Sequence, residues 1–307
     1  MTTETTIAGF VLSHPFVMNA GGTCKTADDV KSIAASDADA VVIGSITADP
    51  RDGNEGNVFY ADDDDIFSLN SIGLKNPGMQ WYRPHLPEMA RIAHDAGKLF
   101  IVNVAGFTPQ EYAELTQAAL EGGADMVEQN WGCPNVWYRG AQKPITSYDP
   151  ELVMETLTRT EERLGDAIQI AGKVSPMEPF LLGRLAVAVT GFSSVKAITA
   201  VNTFPNALSY DADGNPCITP GGGLAGFAGP GYLPIAVGQV RQWRNALPAR
   251  IAVIGVGGID DGASMRQHFF AGATAVQIGT VCYDPEGTAS WMLTQIKKEY
   301  IQFFSVA

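Results

Sequence analysis

Closely spaced cysteines are missing from this sequence. Its four cysteines, Cys24, Cys133, Cys217 and Cys282, lie far apart, and none belongs to a C-x-x-C pair. Zinc and iron–sulfur sites usually draw their ligands from such pairs, so we expect no metal site. Scattered free thiols are typical of a reducing compartment, and we therefore expect a cytoplasmic protein.

Long apolar runs and an excess of positive charge are missing as well. No apolar run approaches the roughly 20 residues that cross a bilayer. The first ten residues, MTTETTIAGF, lack the basic start and apolar stretch of a signal peptide. The chain carries 33 acidic and 20 basic residues, a formal net charge of −13. Because an acidic surface repels phosphate backbones, we expect neither a nucleic acid nor a membrane as partner.

Short apolar runs alternate with longer amphipathic segments along the chain. The runs, which have the length and composition of buried strands, cover residues 15–20, 40–45, 98–106, 124–130, 168–174, 195–204, 251–258 and 274–280. Helices are predicted after Thr26 as N-cap, after Thr108-Pro109, and near 150–164, 177–190, 234–246, 261–271 and 286–303. Continuous apolar strands followed by helices are typical of a parallel sheet covered by helices.

Eight such units predict an α/β fold with a single (β/α)8 TIM barrel, one domain over residues 1–307. The alternative is a doubly wound open sheet, which usually carries G-x-G-x-x-G after its first strand. The segment Ala20-Gly21-Gly22-Thr23 matches that motif poorly. Two long irregular stretches, 46–82 and 205–233, follow strands and therefore lie at the face of a barrel where chemistry occurs. The acidic run 62–65 is predicted to be a solvated loop rather than a metal site.

Asparagines mark the carboxyl ends of several predicted strands. Asn103, Asn130 and Asn202 end or nearly end the third, fourth and sixth strands. Asparagine is depleted in buried strands, so three of them on one barrel face indicate more than packing. Because the side-chain amide both donates and accepts hydrogen bonds, the set suits a neutral ligand with amide-type edges. A flavin ring and a pyrimidine-like ring both fit that description.

Other strand ends carry glycine, lysine and cysteine. Gly257-Gly258 and Gly279-Thr280 follow strands seven and eight, where barrels commonly bind phosphate, although ordinary turns are the alternative. Lys173 ends strand five and is predicted to approach a flavin N1/C2 carbonyl edge, with a structural ion pair as the alternative. Cys133 directly follows strand four and is predicted to transfer a proton, rather than to fill the core as an inert thiol.

These segments resemble the motifs of the dihydroorotate dehydrogenase family, in the same order and over nearly the whole chain. The matching segments are Asn130-Trp131-Gly132-Cys133-Pro134-Asn135, Leu69-Asn70-Ser71-Ile72-Gly73-Leu74, Arg51-Asp52-Gly53-Asn54, Val201-Asn202-Thr203, Gly222-Gly223-Leu224-Ala225-Gly226, Gly255-Val256-Gly257-Gly258-Ile259 and Gln277-Ile278-Gly279-Thr280. The resemblance implies an FMN-dependent oxidoreductase that acts on a CH–CH bond, with Cys133 as the catalytic base.

The pattern at the strand ends and the resemblance together predict which residues bind the substrate and which bind FMN. The predicted substrate-binding residues are Asn70, Ser71, Ile72, Gly73, Leu74, Asn130, Asn135, Asn202 and Thr203. The predicted FMN-binding residues are Ala20, Gly21, Gly22, Gly44, Ser45, Asn103, Asn130, Lys173, Asn202, Gly226, Gly257, Gly258, Gly279 and Thr280. A cysteine at the base position resembles the soluble class. Residues 142–149 are similar to the lid of the homodimeric members, which implies a homodimer and a soluble acceptor such as fumarate.

One position departs from the family's pattern in a way that bears on substrate binding. In the family the second strand ends in a lysine that contacts both flavin and substrate, and here that position is Gly44. By sequence, Arg139 and Lys143 in the lid are the nearest candidates for a replacement cation. Trp131 and Gly132 before the cysteine, and Leu233 before a proline, depart as well.

Three functions follow from these observations. The first is oxidation of dihydroorotate to orotate in pyrimidine biosynthesis, in which Cys133 takes a proton from C5 while hydride leaves C6 for flavin N5. The second is a divergent family member with a different cyclic amide or enone-like substrate, because of Gly44. The third is a non-redox flavin-binding or substrate-binding protein, against which the cysteine argues because binding alone needs no base.

Overall fold

Eight parallel strands close into a barrel in the computed structural model, which describes residues 4–138, 140–283 and 289–305. The barrel strands are β1 (Val17–Asn19), β2 (Ala40–Ile46), β3 (Leu99–Val104), β4 (Met126–Asn130), β5 (Ile170–Val174), β6 (Val195–Ala200), β7 (Ala252–Val256) and β8 (Ala275–Ile278). Each strand pairs with the next one along the chain, and β8 returns to β1. The predicted TIM barrel is confirmed, and the open sheet is wrong.

Eight helices surround this barrel. They are α1 (Ala27–Ala34), α2 (Met79–Asp95), α3 (Pro109–Glu121), α4 (Pro150–Leu164), α5 (Pro179–Thr190), α6 (Leu233–Ala246), α7 (Gly262–Ala271) and α8 (Ala289–Ser305). The predicted caps are present, since the Thr26 and Thr108 hydroxyls accept the N–H of Asp29 and Glu111. The start predicted for the last helix, 286–288, lies outside the described residues. Among the described residues, no helix is long and apolar enough to cross a membrane.

Helix α2 was not predicted, and part of it falls in a stretch that we expected to be irregular. Pro84 and Pro87 lie inside it, and proline is strongly unfavourable in a helix interior. The helix forms nonetheless because Tyr82, Leu86 and Met89 are fully buried and join the apolar layer between barrel and helices. Tertiary burial therefore overrides the local preference of the sequence.

The two long stretches expected to be irregular form a second sheet. Its antiparallel strands stand in the order Phe204–Ala207, Ala225–Ala228, Ser68–Asn70 and Phe59–Ala61. This sheet is built from the segments that follow β2 and β6, so it lies at the carboxyl end of the barrel. A short hairpin, Trp137–Tyr138 with Ala141–Gln142, follows β4 at the same end.

The acidic run 62–65 lies in the turn between two strands of this sheet. The Asp62 carboxylate accepts the Phe67 N–H at 2.6 Å, and the three aspartates that follow are exposed. The run is therefore a solvated turn, as expected. In the described part of the chain, no cluster of three or more His, Cys, Asp or Glu side chains could hold a metal ion.

The amino end of the barrel is filled by apolar side chains. Ile7, from the hairpin Glu4–Ile7 with Phe10–Ser13, packs with Phe16, Met18 and Ile254 in the barrel interior. Near the carboxyl ends of β3, β4 and β5, the polar side chains of Asn103, Asn130 and Lys173 line an open pocket instead. The open end of the barrel is therefore the carboxyl end. Ligands of TIM-barrel enzymes bind at that end.

Candidate active site

A pocket opens at the carboxyl end of the barrel, under the second sheet. Residues at or after the ends of all eight strands contribute to its wall. Among the predicted site residues, the pocket is lined by Ala20, Gly21, Gly22, Gly44, Ser45, Asn70, Ile72, Gly73, Leu74, Asn103, Asn130, Cys133, Asn135, Lys173, Asn202, Thr203, Gly257, Gly258, Gly279 and Thr280. Strand-end reasoning thus predicted residues that the fold brings together.

Two predicted residues lie behind the wall rather than on it. Ser71 is fully buried, and its carbonyl and hydroxyl oxygens accept hydrogen bonds from Asn54. Gly226 pairs with Asn70 in the second sheet, and a Cβ on it would lie 2.1 Å from the Thr203 hydroxyl. Both residues therefore support the segment that carries Asn70.

Four of the five asparagines that line the pocket form two hydrogen-bonded pairs. The Asn202 side chain donates to the side-chain oxygen of Asn130 at 3.2 Å, and the Asn130 side chain donates to the Ser45 hydroxyl at 2.9 Å. The Asn135 side chain donates to the side-chain oxygen of Asn70 at 2.9 Å. These bonds orient the amides and leave part of their donor and acceptor capacity for a ligand. The arrangement suits a ring with several amide edges, as the sequence indicated.

A buried polar cluster lies below these asparagines. The carboxylate of Glu128, which is fully buried, accepts hydrogen bonds from Asn103 and Thr199 at 2.6 Å and from Gln277 at 2.7 Å. The Lys173 ammonium donates to Gln277 at 2.9 Å and lies 3.8 Å from Glu128. Lys173 therefore has a structural ion pair and also faces the pocket.

Sequence reasoning missed Glu128 and Gln277, although one signal was available. In a strand, alternate residues face the same side, so Glu128 shares the inward face with Asn130. Gln129 between them points outward and donates to Thr116. A charged residue on the inward face of an apolar strand requires partners, and this requirement predicts a polar barrel interior at this level.

Cys133 lies between the main pocket and a smaller cavity, and lines both. Burial raises the pKa of its thiol, and the Asn135 N–H and the charges of Lys143 and Arg51 oppose that rise. The two cations flank the Phe107 ring, with the Arg51 guanidinium 5.0 Å and the Lys143 ammonium 5.4 Å from its centroid. The cations therefore limit the rise in pKa without cancelling it, and the thiolate, once formed, is a stronger base than an exposed one.

Gly44 has a backbone that accepts no side chain. Its φ is +121°, and a Cβ on it would lie 2.3 Å from the Asn103 carbonyl oxygen. Of the two candidate replacement cations of the lid, Lys143 lies away from the main pocket: it contributes to the smaller cavity and donates to the Thr146 hydroxyl. Arg139 lies outside the described residues. The lysines that do line the pocket besides Lys173 were not predicted, and they are Lys25 and Lys75.

The other departures from the family pattern have local packing reasons. Trp131 is fully buried, and Gly172 on β5 makes room for it, since a Cβ there would lie 2.0 Å from the indole ring. Gly132 approaches the backbone of β5, where a Cβ would lie 2.6 Å from the Ser175 nitrogen. The backbone of Leu233 packs against Gly258 in the predicted phosphate loop. These three residues therefore pack behind the pocket, against β5 and the loop after β7.

Known proteins share this sequence pattern over most of its length. The family model described as dihydroorotate dehydrogenase matches residues 2–303. A dihydroorotate dehydrogenase (fumarate) from Trypanosoma cruzi is 31% identical over 303 residues, which cover 96% of this chain and 91% of the relative. A probable dihydroorotate dehydrogenase A (fumarate) from Enterococcus faecalis is 30% identical over 267 residues, which cover 86% of this chain and 83% of the relative.

The fold is shared with solved structures as well. A crystal structure of DHODH from Eimeria tenella in complex with ferulenol aligns with a TM-score of 0.79, and the alignment covers 99% of this chain and 85% of that one. Sequence identity in that alignment is 17%, so the likeness shows the fold alone. The family assignment comes from the sequence matches, which span nearly the whole chain. This chain therefore belongs to the dihydroorotate dehydrogenase family.

Proposed function

We propose that this chain is a fumarate-using dihydroorotate dehydrogenase, which oxidises dihydroorotate to orotate in pyrimidine biosynthesis. The observation that carries the proposal is one pocket in which Cys133 lies among four asparagine side chains at the carboxyl end of the barrel. A proton acceptor next to amide-binding groups is what the removal of hydrogen from a cyclic amide requires. The fumarate-type relatives support the same reaction.

The pocket also fits FMN, which the reaction needs as its electron acceptor. Asn103 lines the pocket, and its buried side-chain oxygen has no hydrogen-bond partner among the described residues, which suits a ligand with a ring N–H donor. Gly257 and Gly258 carry no side chains directly after β7, at the barrel face where phosphate commonly binds. Lys173 adds a positive charge that stabilises a ring gaining electrons. When bound, FMN would supply the two-electron redox chemistry, and the fumarate-type relatives support a soluble acceptor such as fumarate.

The remaining roles, substrate binding and proton transfer, belong to residues of this chain. Asn70, Asn130, Asn135 and Asn202 bind and orient the amide edges of the pyrimidine ring. Cys133 accepts the proton from C5, and the charges of Lys143 and Arg51 stabilise the thiolate that does so. We further expect residues 1–307 to form one domain and two chains to form a homodimer, as in the homodimeric fumarate-using members that the sequence resembles.

The first prediction concerns the cofactor. The purified protein is expected to be yellow and to contain one FMN per chain, because the sequence predicts one phosphate site, at Gly257, Gly258, Gly279 and Thr280. Backbone N–H groups that bind phosphate favour FMN over riboflavin, which has no phosphate. Acid extraction followed by chromatography measures the cofactor and its ratio to protein. A colourless protein whose spectrum does not change when FMN is added would contradict the proposal.

The decisive test of the reaction is an anaerobic titration of the flavin-loaded protein with dihydroorotate. Absorbance of the oxidised flavin is expected to fall in proportion to the dihydroorotate added, and fumarate is expected to restore it. Dihydrouracil, which lacks the carboxylate, provides the matched control. A protein whose flavin stays oxidised with dihydroorotate but is reduced by another cyclic amide would replace this function with a different substrate.

A further inference from the structure

Lys25 and Lys75 stand next to each other at the pocket, although the protein as a whole is acidic. Both line the pocket wall, and the Lys25 ammonium donates to the Lys75 backbone carbonyl at 3.1 Å. Lys25 is half-buried, whereas Lys75 is exposed. In the parts of the chain that the structure describes, neither ammonium forms a salt bridge with a carboxylate. Two neighbouring cations, neither of which is engaged in a salt bridge among the described residues, favour an anionic ligand.

The backbone of both lysines is held in place. The Lys25 N–H donates to the Asp29 carboxylate at 2.8 Å, as part of the cap of α1. Asn76, which follows Lys75 and is 5% exposed, donates to the Leu74 carbonyl at 2.7 Å and exchanges two backbone hydrogen bonds with Arg51. Because the backbone is already ordered, binding a ligand there costs little backbone entropy.

The electrostatics of Lys25 agree with a site that gains from an anion. The pKa of Lys25 is lowered mainly by burial and to a lesser extent by the positive charge of Lys75. The negative charge of Asp29 opposes this lowering. A carboxylate placed between the two ammonium groups would offset their repulsion and part of the cost of burial. Gly44 lies next to this segment on the same pocket wall, since its N–H donates to the Cys24 carbonyl at 3.1 Å.

We propose that Lys25 and Lys75 together bind the carboxylate of dihydroorotate and orotate at this pocket, in place of a cation on β2. This inference rests on the proposed function and names the residues that select an acidic substrate. It also assigns the two lysines a role distinct from that of Lys173, whose ammonium is already paired with Glu128 and Gln277.

The test is calorimetric titration of FMN-loaded wild type, Lys25→Gln, Lys75→Gln and the double variant. Orotate is the first ligand, and uracil, which has the same ring without the carboxylate, is the second. Each single variant is expected to raise the Kd for orotate about tenfold, because each removes a hydrogen bond to a charged group. The Kd for uracil is expected to stay within about twofold. In turnover, KM for dihydroorotate is expected to rise while kcat stays near the wild-type value.

Lys196→Gln provides the matched control. Lys196 lies near the amino end of β6, at the opposite end of the barrel, and its ammonium donates to the Ser193 carbonyl. Its removal changes the net charge equally and is expected to leave both Kd values unchanged.

Three results would overturn the inference. A double variant that binds orotate as tightly as wild type excludes a carboxylate contact. If the Kd values for orotate and uracil rise equally, the lysines stabilise the pocket but do not bind the carboxylate. Fumarate is titrated as a third ligand, and a variant that weakens fumarate binding alone would assign the lysines to the acceptor. A wild-type protein that binds no orotate overturns the proposed function together with this inference, so the two failures can be told apart.

Discussion

Replacing Cys133 with alanine is expected to slow the reduction of bound flavin by dihydroorotate by about 10²–10⁴-fold, the usual contribution of a general base. FMN content and orotate affinity are expected to remain close to those of wild type, since the amide-binding asparagines are untouched. Stopped-flow absorbance under anaerobic conditions measures the reduction step directly. An alanine variant that reduces its flavin as fast as wild type would rule out Cys133 as the base.

The pH dependence of the same step provides a second readout. Only the thiolate accepts a proton, so the wild-type rate is expected to rise with pH and to level off above the pKa of Cys133. Because burial raises that pKa, the rise extends into the alkaline range. Cys133→Ser is expected to retain some activity with a profile shifted to higher pH, since serine is a weaker acid. A profile that is unchanged in the serine variant would point to another base.

Cys217→Ala is the control for these variants. Cys217 is buried like a core residue and does not line either the main pocket or the smaller cavity. Its removal is expected to leave the reduction rate and its pH profile unchanged. A comparable loss in this variant would mean that cysteine replacement disturbs the fold rather than the chemistry.

The barrel and most of the pocket were predictable because both follow from local patterns. Apolar runs of strand length identify the eight barrel strands, and a parallel barrel brings all strand ends to one face. Asn130 and Lys173 could therefore be placed in one site without knowledge of any contact. The chemistry of residue types at those ends, amide, thiol and ammonium, then indicated the ligand.

What could not be predicted depends on contacts between distant segments. The strand Ser68–Asn70 has three residues and finds its partner in Ala225–Ala228, so no local periodicity marks either one. Lys25 and Lys75 likewise come from separate loops and meet only in the folded chain. Sequence proximity favoured the lid as the source of a replacement cation. The fold instead places Lys143 at the smaller cavity on the other side of Cys133.

Gly44→Lys, which restores the residue type of the family, is expected to damage the protein instead of improving it. A side chain at φ +121° is strained, and its Cβ would lie 2.3 Å from the Asn103 carbonyl oxygen. Strain and overpacking together predict a loss of about 2–5 kcal/mol in the free energy of unfolding. The movement of Asn103 that relieves this clash would also disturb the predicted flavin site. Urea unfolding and FMN content measure the two effects.

Gly183→Lys is the matched control for this substitution. Gly183 lies in α5, and a Cβ on it would meet no atom within 4 Å. Glycine in a helix interior costs roughly 0.5–1 kcal/mol relative to alanine, so this variant is expected to be as stable as wild type or slightly more stable. A similar loss in both variants would show that the added charge, rather than the backbone at Gly44, causes the damage.

Substrate binding by Gly44→Lys separates the two ways of recognising a carboxylate. If Lys25 and Lys75 bind it, a lysine at position 44 has no vacant partner, and the Kd for orotate is expected to rise or stay the same. A Gly44→Lys variant that folds normally and binds orotate at least tenfold more tightly than wild type would contradict this expectation. That result would mean that the end of β2 adapts to a side chain and that the wild-type pocket lacks a carboxylate contact. Activity with dihydroorotate that appears only in this variant would then assign the wild-type protein a substrate without a carboxylate.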